Sequence, residues 1–281
     1  MDRVVAELRD FEVREDDVWV VTYPKAGTTW AQEIMSCVMH DGDLEAVNKR
    51  HTSFRVSFLE LSLSELVRKV KNVPETHRLA AKIPSTRVLK SHLPGPLLPP
   101  QIWQKKPKIV YVLRNPKDVV VSYFHFRKLV VPTKAMQAET FDEFLQKMFT
   151  GKGVSFGLWW KHYLYFWEKR HEENILILRF EDMKRDLRGN VEKISRFLGK
   201  DFPAETLNAI TEHCTFANMK TNLMANNNAV FEKREIPEGM SFMRKGKVGD
   251  WKSHFTVAQN EAMDAEIKER LKGSGLTFEY D

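Results

Sequence analysis

The sequence VWVVTYPKAGTTW, residues 18–30, gives the clearest indication of the fold of this 281-residue chain. Its first five residues form a continuous apolar run, which is typical of a strand buried on both faces of a parallel sheet. A short loop with one glycine follows, and the apolar spacing from Trp30 to His40 predicts a helix. Backbone N–H groups at the start of such a helix bind anions, most naturally a phosphate. Lys25 can add a charge there, and Thr28 and Thr29 can add hydroxyl donors.

Further apolar runs repeat the succession of strand and helix. The predicted strands are residues 88–90, 108–113 and 175–178. Helical spacing is found at residues 116–126, 141–149, 191–198 and 259–271. This alternation predicts an α/β fold with a central parallel sheet flanked by helices, in which ligands bind at the carboxyl ends of the strands. Because no internal repeat or linker divides the chain, we expect a single domain over residues 1–281.

Composition and charge exclude several classes of protein. With 42% hydrophobic and 29% charged residues, the chain is neither collagen-like, of low complexity nor disordered. No apolar stretch approaches the roughly 20 residues that span a bilayer, and residues 1–10 lack the apolar core of a signal peptide. Two cysteines in a chain of this length favour a reducing compartment, so we expect a cytoplasmic location. The net charge of +6 alone fits nucleic acid, an anionic small molecule or solubility.

Basic and hydroxyl side chains follow the other predicted strands. Lys90 and His92 end the second strand, and a histidine with an ordinary pKa of about 6.5 can accept a proton from an alcohol or phenol at neutral pH. Arg114 ends the third strand, and Ser122 lies about two helical turns beyond it. Guanidinium groups bind phosphate oxygens in pairs. A basic loop with a glycine, residues 244–246, lies near the C-terminus and permits close approach of the backbone to an anion.

These motifs, in this order, resemble those of the cytosolic sulfotransferases, which use 3′-phosphoadenosine 5′-phosphosulfate (PAPS) as sulfonate donor. The resemblance runs from about Val18 to the C-terminus and identifies residues 23–30 with the family's P-loop-like phosphosulfate-binding loop. It departs at Ala26, Phe180 and Cys214, where the family commonly has serine, tyrosine and a hydroxyl residue. It implies in-line transfer of a sulfonate group from PAPS to a hydroxyl or amine of a small apolar acceptor, most plausibly a phenol, with release of adenosine 3′,5′-bisphosphate (PAP).

The resemblance also implies a role for each site residue. His92 acts as general base, Lys25 stabilises the leaving phosphate, and Lys90 orients the sulfonate or the acceptor. Phe58 and Phe126 line the acceptor pocket, together with Lys90 and His92. The donor is bound by Lys25, Ala26, Gly27, Thr28, Thr29, Trp30, Arg114, Ser122, Phe180, Cys214, Phe216, Met219, Phe242, Met243, Arg244, Lys245 and Gly246.

Three further expectations concern neighbouring groups and partners. Asp118 is expected to brace its loop rather than to touch an anion, and His125 to be a pocket or structural residue. No metal is expected, because no group of His, Cys and carboxylate residues has the sequence spacing of a metal site. Residues Lys252 to Glu261 match the family's homodimer segment, so a homodimer is expected, without nucleic acid or membrane as partner.

Two other functions fit the same residues less well. A nucleotide or small-molecule kinase is disfavoured because Lys25 precedes Gly27, whereas the Walker A lysine follows the glycine, and because Arg114 stands where a Mg²⁺-binding aspartate would follow the strand. A catalytically silent protein that binds PAP or a polyanion is disfavoured because Lys25 and His92 are both present. Binding to nucleic acid would also depend steeply on salt concentration.

Overall fold

The sheet is built from the predicted apolar runs and one further strand. The computed structural model describes residues 2–61, 75–131, 133–227 and 241–281. The strands are β1 Val18–Thr22, β2 Val56–Phe58, β3 Val88–Ser91, β4 Lys108–Leu113 and β5 Ile175–Arg179. All neighbouring strands are parallel and lie in the order β2-β3-β1-β4-β5. The carboxyl ends of β1, β3 and β4 therefore meet at the middle of one edge.

The helices pack on the two faces of this sheet and cover the ends of the strands. They are α1 Asp2–Leu8, α2 Thr28–Met39, α3 Leu44–Asn48, α4 Thr52–Arg55, α5 Thr76–Ala81, α6 Gln101–Lys105, α7 Pro116–Val130, α8 Lys134–Ala138, α9 Phe141–Thr150, α10 Trp159–Glu168, α11 Phe180–Arg185, α12 Leu187–Phe197, α13 Ala204–His213, α14 Phe216–Thr221 and α15 Val257–Arg270. Short 3₁₀ helices lie at Gly95–Leu97 and Asp250–Ser253. No helix of the described ranges combines the length and apolar character of a membrane span.

Strand β1 shows why its apolar run is continuous. Trp19 and Val21 belong to one buried cluster and Val18 and Val20 to the other, so the strand has a hydrophobic core on each face. This double burial confirms the prediction of a parallel sheet flanked by helices. Strand β2 was not predicted, because it has only three residues and a serine, Ser57, lies in its middle.

Candidate active site

The loop between β1 and α2 is shaped for an anion. Lys25 and Gly27 both have left-handed backbone, with φ of 70° and 115°. A Cβ atom at Gly27 would lie 3.0 Å from Cδ2 of Phe180, so the loop also needs glycine for its close approach to that ring. No side chain of the described residues caps the N-terminus of α2. The backbone N–H groups of Thr28 and Thr29 are therefore available to bind an anion.

The side chain of Lys25, a residue of this loop, lies between two aromatic rings. Its Nζ atom is 4.2 Å from the ring centre of Phe126 and 4.6 Å from that of Phe242. Burial is the main reason that the pKa of Lys25 falls to about 7, and the neighbouring cations, of which Arg114 is the strongest, lower it further. A bound anion would offset both effects, because an opposite charge favours the protonated amine.

His92 has the hydrogen bonding of a neutral base. Its Nδ1 atom lies 2.9 Å from the carbonyl oxygen of Thr22 and 3.3 Å from the hydroxyl of the same residue. A carbonyl only accepts hydrogen bonds, so Nδ1 carries the proton and Nε2 keeps its lone pair. Among the described residues no hydrogen bond to Nε2 is found. Burial, followed by the charge of Lys90, lowers the pKa of His92 well below its ordinary value, so the ring is neutral at pH 7.

The sequence did not single out Thr22, which connects this base to the phosphate loop. The Thr22 hydroxyl is fully buried and lies 2.6 Å from the hydroxyl of Thr28. A hydroxyl pair therefore connects the first turn of α2 to the ring of His92. Threonines at the end of an apolar strand are common, and no spacing marks one as the partner of a histidine that follows 70 residues later.

Glu60 is a second neighbour of His92 that the sequence did not reveal. It is buried, and one carboxyl oxygen accepts the backbone N–H of His92. Burial raises the pKa of Glu60 to about 7. Burial also lowers the pKa of Lys90 to about 8, although the Glu60 carboxylate opposes this change. Glu60 follows β2 directly, and the parallel pairing of β2 with β3 brings it beside His92.

Two phenylalanine rings lie beside His92. The Phe58 ring centre lies 5.2 Å from that of His92 and 4.1 Å from Nζ of Lys90. The Phe156 ring, which the sequence did not predict to be here, lies 5.4 Å from His92 on another side. Phe126 is placed against Lys25 instead.

Arg114 joins the phosphate loop to the C-terminal basic segment. Its guanidinium donates to the carbonyl oxygens of Lys25, at 3.2 Å, and Lys247, at 3.0 Å, and lies 4.2 Å from the ring centre of Phe180. Its Nε atom is buried without a partner among the described residues. A buried donor of this kind is costly unless something binds to it, which fits a site for an anion.

The basic segment, residues 244–246, also lies close to the phosphate loop. Arg244 and Lys245 are both paired with Asp250, and Nζ of Lys245 lies 2.7 Å from a carboxylate oxygen. Gly246 has φ of 60°, and a Cβ atom there would lie 2.3 Å from the ring of Phe216. A small cavity of about 10 Å³ is lined by residues of the loop, of α7 and of this segment, among them Lys25, Ser122, His125 and Arg244.

The residues expected on the adenine side also converge. The ring nitrogen of Trp30 donates to the carbonyl oxygen of Cys214 at 2.7 Å, and the Trp30 and Phe180 ring centres are 5.4 Å apart. The Phe216 ring lies against Gly246. The side chains of Cys214 and Met219 are buried in the core, with Met243 packed against the same cluster. The carbonyl of Cys214, rather than its thiol, therefore makes the contact with Trp30.

Asp118 braces its own loop through Asn115, as predicted, and also binds the loop that follows the basic segment, which was not predicted. Its buried carboxylate accepts the backbone N–H groups of Gly249 at 2.9 Å and Trp251 at 3.0 Å, and the side-chain amide of Asn115 at 2.9 Å. These bonds attach the C-terminal loop to the start of α7. His125 lies in the cavity wall, 3.2 Å from the ring of His254, which also agrees with its expected place.

Asp118→Ala is expected to lower the free energy of unfolding by about 3 kcal/mol, because it leaves several buried donors without their charged acceptor. The measurement is urea denaturation followed by far-UV circular dichroism. Asp201 is exposed, so Asp201→Ala is the matched control and should be within about 0.5 kcal/mol of the wild type. Equal stability of the two variants would show that Asp118 does not brace this loop.

Comparison with known proteins agrees with this geometry. The family model described as the Sulfotransferase domain matches residues 15–275. Amine sulfotransferase of Oryctolagus cuniculus is 42% identical over 282 residues, which cover 99% of this chain and 88% of that protein. Sulfotransferase 1A1 of Canis lupus familiaris is 40% identical over 271 residues, covering 96% and 88%.

Solved structures show the same fold. The structure of retinol dehydratase in complex with androsterone and the inactive cofactor PAP has a TM-score of 0.89 to this chain at 28% identity, and the match covers 98% of this chain and 86% of that one. The family model, the relatives and the fold therefore agree with the motifs that follow the strands. This chain belongs to the sulfotransferase family.

Proposed function

We propose that this chain transfers a sulfonate group from PAPS to a hydroxyl or amine of a small apolar acceptor, with a phenol as the first choice. The observation that carries the proposal is the state of His92, whose Nδ1 proton is held by the Thr22 carbonyl. Its Nε2 lone pair is thereby kept for an acceptor proton, within the same site as Lys25 and Lys90. The retinol dehydratase structures, which contain PAP, support the choice of donor.

The residues of the site fit the charges of such a donor. PAPS supplies an activated sulfonate and, as PAP, a good leaving group. Gly27, Thr28 and Thr29, at the uncapped start of α2, are suited to the 5′-phosphate. Three groups are suited to the 3′-phosphate: Arg114, whose Nε has no partner in the part of the chain that the structure describes, Ser122, and the basic segment Arg244 to Gly246. Ion pairs with Asp250 hold the side chains of Arg244 and Lys245 in the basic segment. Trp30, Phe180, Phe216 and neighbouring residues would flank the adenine.

Each catalytic residue has a separate task. His92 removes the proton from the acceptor as its oxygen attacks the sulfur. Lys25 stabilises the negative charge that develops on the leaving phosphate, in a pocket where water is largely excluded. Lys90 orients the sulfonate or the acceptor from above the ring of Phe58. The reaction is an in-line displacement at sulfur, and none of these tasks uses a metal ion.

Assembly and location extend the proposal. We infer one functional domain over residues 1–281, because both the first strand and the C-terminal segment contribute to the site. We infer a homodimer through Lys252 to Glu261, a segment in which the side chain of Val257 is 76% exposed. The inference rests on the match of this segment to the family's homodimer segment, and the exposed Val257 side chain is free to contact a second copy. The proposed location is the cytoplasm.

A panel of acceptors tests the reaction. The full chain is incubated with PAPS and a mixture of phenols, catecholamines, aryl amines, steroids and aliphatic alcohols, and the products are identified by mass spectrometry. We expect sulfonated phenols to form fastest. The proposal is wrong if no acceptor is sulfonated, and a phosphorylated product with ATP would favour the kinase alternative.

Replacing Glu60 tests whether its hydrogen bond to the backbone of His92 contributes to the proposed role of His92 as general base. Glu60→Gln keeps an oxygen that accepts the backbone N–H of His92, whereas Glu60→Ala leaves this N–H unpaired. We expect Glu60→Ala to lower kcat by about tenfold, which corresponds to ~1.4 kcal/mol, and Glu60→Gln to stay within about threefold of the wild type. Steady-state kinetics at saturating donor is the measurement. Equal losses in both variants would mean that the charge of Glu60, and not this hydrogen bond, matters.

A further inference from the structure

A cluster of three side chains with metal-binding atoms lies behind the phosphate loop. Helix α2 places Glu33 and Cys37 one turn apart, and His213 at the end of α13 packs against both. The ligand atoms of the three residues lie within 4.8 Å of one another. The Nε2 atom of His213 is 2.8 Å from a carboxylate oxygen of Glu33. Glu33 and Cys37 are fully buried, and the His213 side chain is 8% exposed.

Two neighbouring groups complete the surroundings of this cluster. Arg55 donates to both carboxylate oxygens of Glu33, at 3.1 and 2.8 Å, and to the hydroxyl of Ser36. It therefore fixes the carboxylate in place, as an outer-shell partner fixes a metal ligand. Cys214, the other cysteine of the chain, is buried in the same hydrophobic cluster as Cys37.

The ligand atoms of Glu33, Cys37 and His213 favour Zn²⁺ over other common metal ions. Thiolate, imidazole and carboxylate together are typical ligands of Zn²⁺, whereas Mg²⁺ and Ca²⁺ take oxygen ligands. Bond lengths of about 2.0–2.3 Å to Zn²⁺ put the ligand atoms of a tetrahedral site roughly 3.3–3.8 Å apart. The present separations of at most 4.8 Å thus need side-chain movements of about 1 Å or less.

We propose that Glu33, Cys37 and His213 bind a Zn²⁺ ion that connects α2 to the end of α13. On binding, the ion takes the place of the proton between His213 and Glu33, and the Cys37 thiol releases its own proton. The site would join the helix that follows the phosphate loop to the segment that carries Cys214 and Phe216. Its role is structural, because no substrate-facing residue belongs to it. The inference does not depend on the proposed reaction.

Metal binding to the full chain tests this proposal directly. The protein is freed of metal with a chelator, dialysed, and titrated with Zn²⁺ against a chromophoric competitor. Titration with Co²⁺ then reports a thiolate ligand through a charge-transfer band in the near ultraviolet. We expect one equivalent of either ion to bind and the thermal unfolding temperature to rise with Zn²⁺.

Two variants and one control assign the ligands. Cys37→Ser and His213→Gln should weaken Zn²⁺ binding at least about 100-fold, the upper end of the effect of removing an outer-shell partner. His40 follows the last residue of α2, bonds to the Ser36 carbonyl oxygen and is not part of the cluster, so His40→Gln is the control and should leave the affinity unchanged. Circular dichroism checks that each variant is folded. The proposal is overturned if the wild type binds no stoichiometric ion, or if either ligand variant binds Zn²⁺ as tightly as the wild type, which would show an adventitious ion only.

Discussion

We expect His92→Ala to abolish sulfonate transfer, with kcat lowered by at least about 10³-fold, and to leave the affinity for PAP within about threefold of the wild type. The reason is that the proposed mechanism places His92 against the acceptor and not against the donor. Its Nδ1 proton is fixed on the Thr22 carbonyl, so Nε2 is the only nitrogen of the ring that can take a proton. Without it, the acceptor must attack while still carrying its proton. Turnover with a saturating phenol and calorimetric titration with PAP give the two quantities.

A matched control and the pH dependence sharpen this test. His171 is exposed, so His171→Ala should keep full activity. Because the pKa of His92 lies well below its ordinary value, the base stays neutral as the pH falls, and the rate should not decline between pH 8 and about 6 through its protonation. A His92→Ala variant that retains a tenth of the activity would remove the residue from the proposed mechanism.

We expect Lys25→Met to lower kcat by about 10³-fold and to weaken PAP binding much less, by about tenfold. Removal of one preorganised donor to a developing negative charge typically costs a factor of about 10²–10³. Methionine has a similar length and can lie between the rings of Phe126 and Phe242, so the fold should tolerate it. The control is Lys161→Met, at an exposed position of α10. If kcat of Lys25→Met stays within threefold, the ammonium does not act on the leaving group.

The pKa of Lys25 gives this prediction a second readout. Without donor the pKa is about 7, so a rise in pH through this value removes the positive charge from free protein. The affinity for the anionic PAP should therefore fall as the pH rises from 6 to 9. In Lys25→Met this part of the pH dependence should vanish. If the wild type and Lys25→Met show the same pH dependence of the affinity for PAP, the charge of Lys25 does not contribute to donor binding.

The parts of the fold that local sequence determines were predicted well. A buried parallel strand needs apolar residues on both faces, and four short apolar runs, most clearly Lys108–Leu113, show this pattern. The phosphate loop was recognisable because an anion site at a helix N-terminus uses consecutive residues. Strand β2 could not be found, since its three residues are stabilised by pairing with Val88–Lys90 and not by their own pattern.

The parts of the site that depend on distant contacts were not predictable. Thr22 and Glu60 act on His92 only because parallel pairing aligns β1, β2 and β3 at one edge. The pairing of Arg244 and Lys245 with Asp250 likewise follows from the folded loop. The same holds for Glu33 and His213, which are far apart in the chain and 2.8 Å apart in the structure. Sequence spacing therefore gave no sign of a metal site.

A single-turnover experiment tests whether this chain transfers a sulfonate group from PAPS to a phenol. The chain is loaded with less than one equivalent of PAPS, mixed rapidly with excess phenol, and quenched at intervals for mass spectrometry. We expect sulfonated phenol and PAP to appear together in equal amounts and at equal rates, and ATP in place of PAPS to give no product. Formation of neither species from bound PAPS, or transfer of a phosphoryl group from ATP, would contradict it.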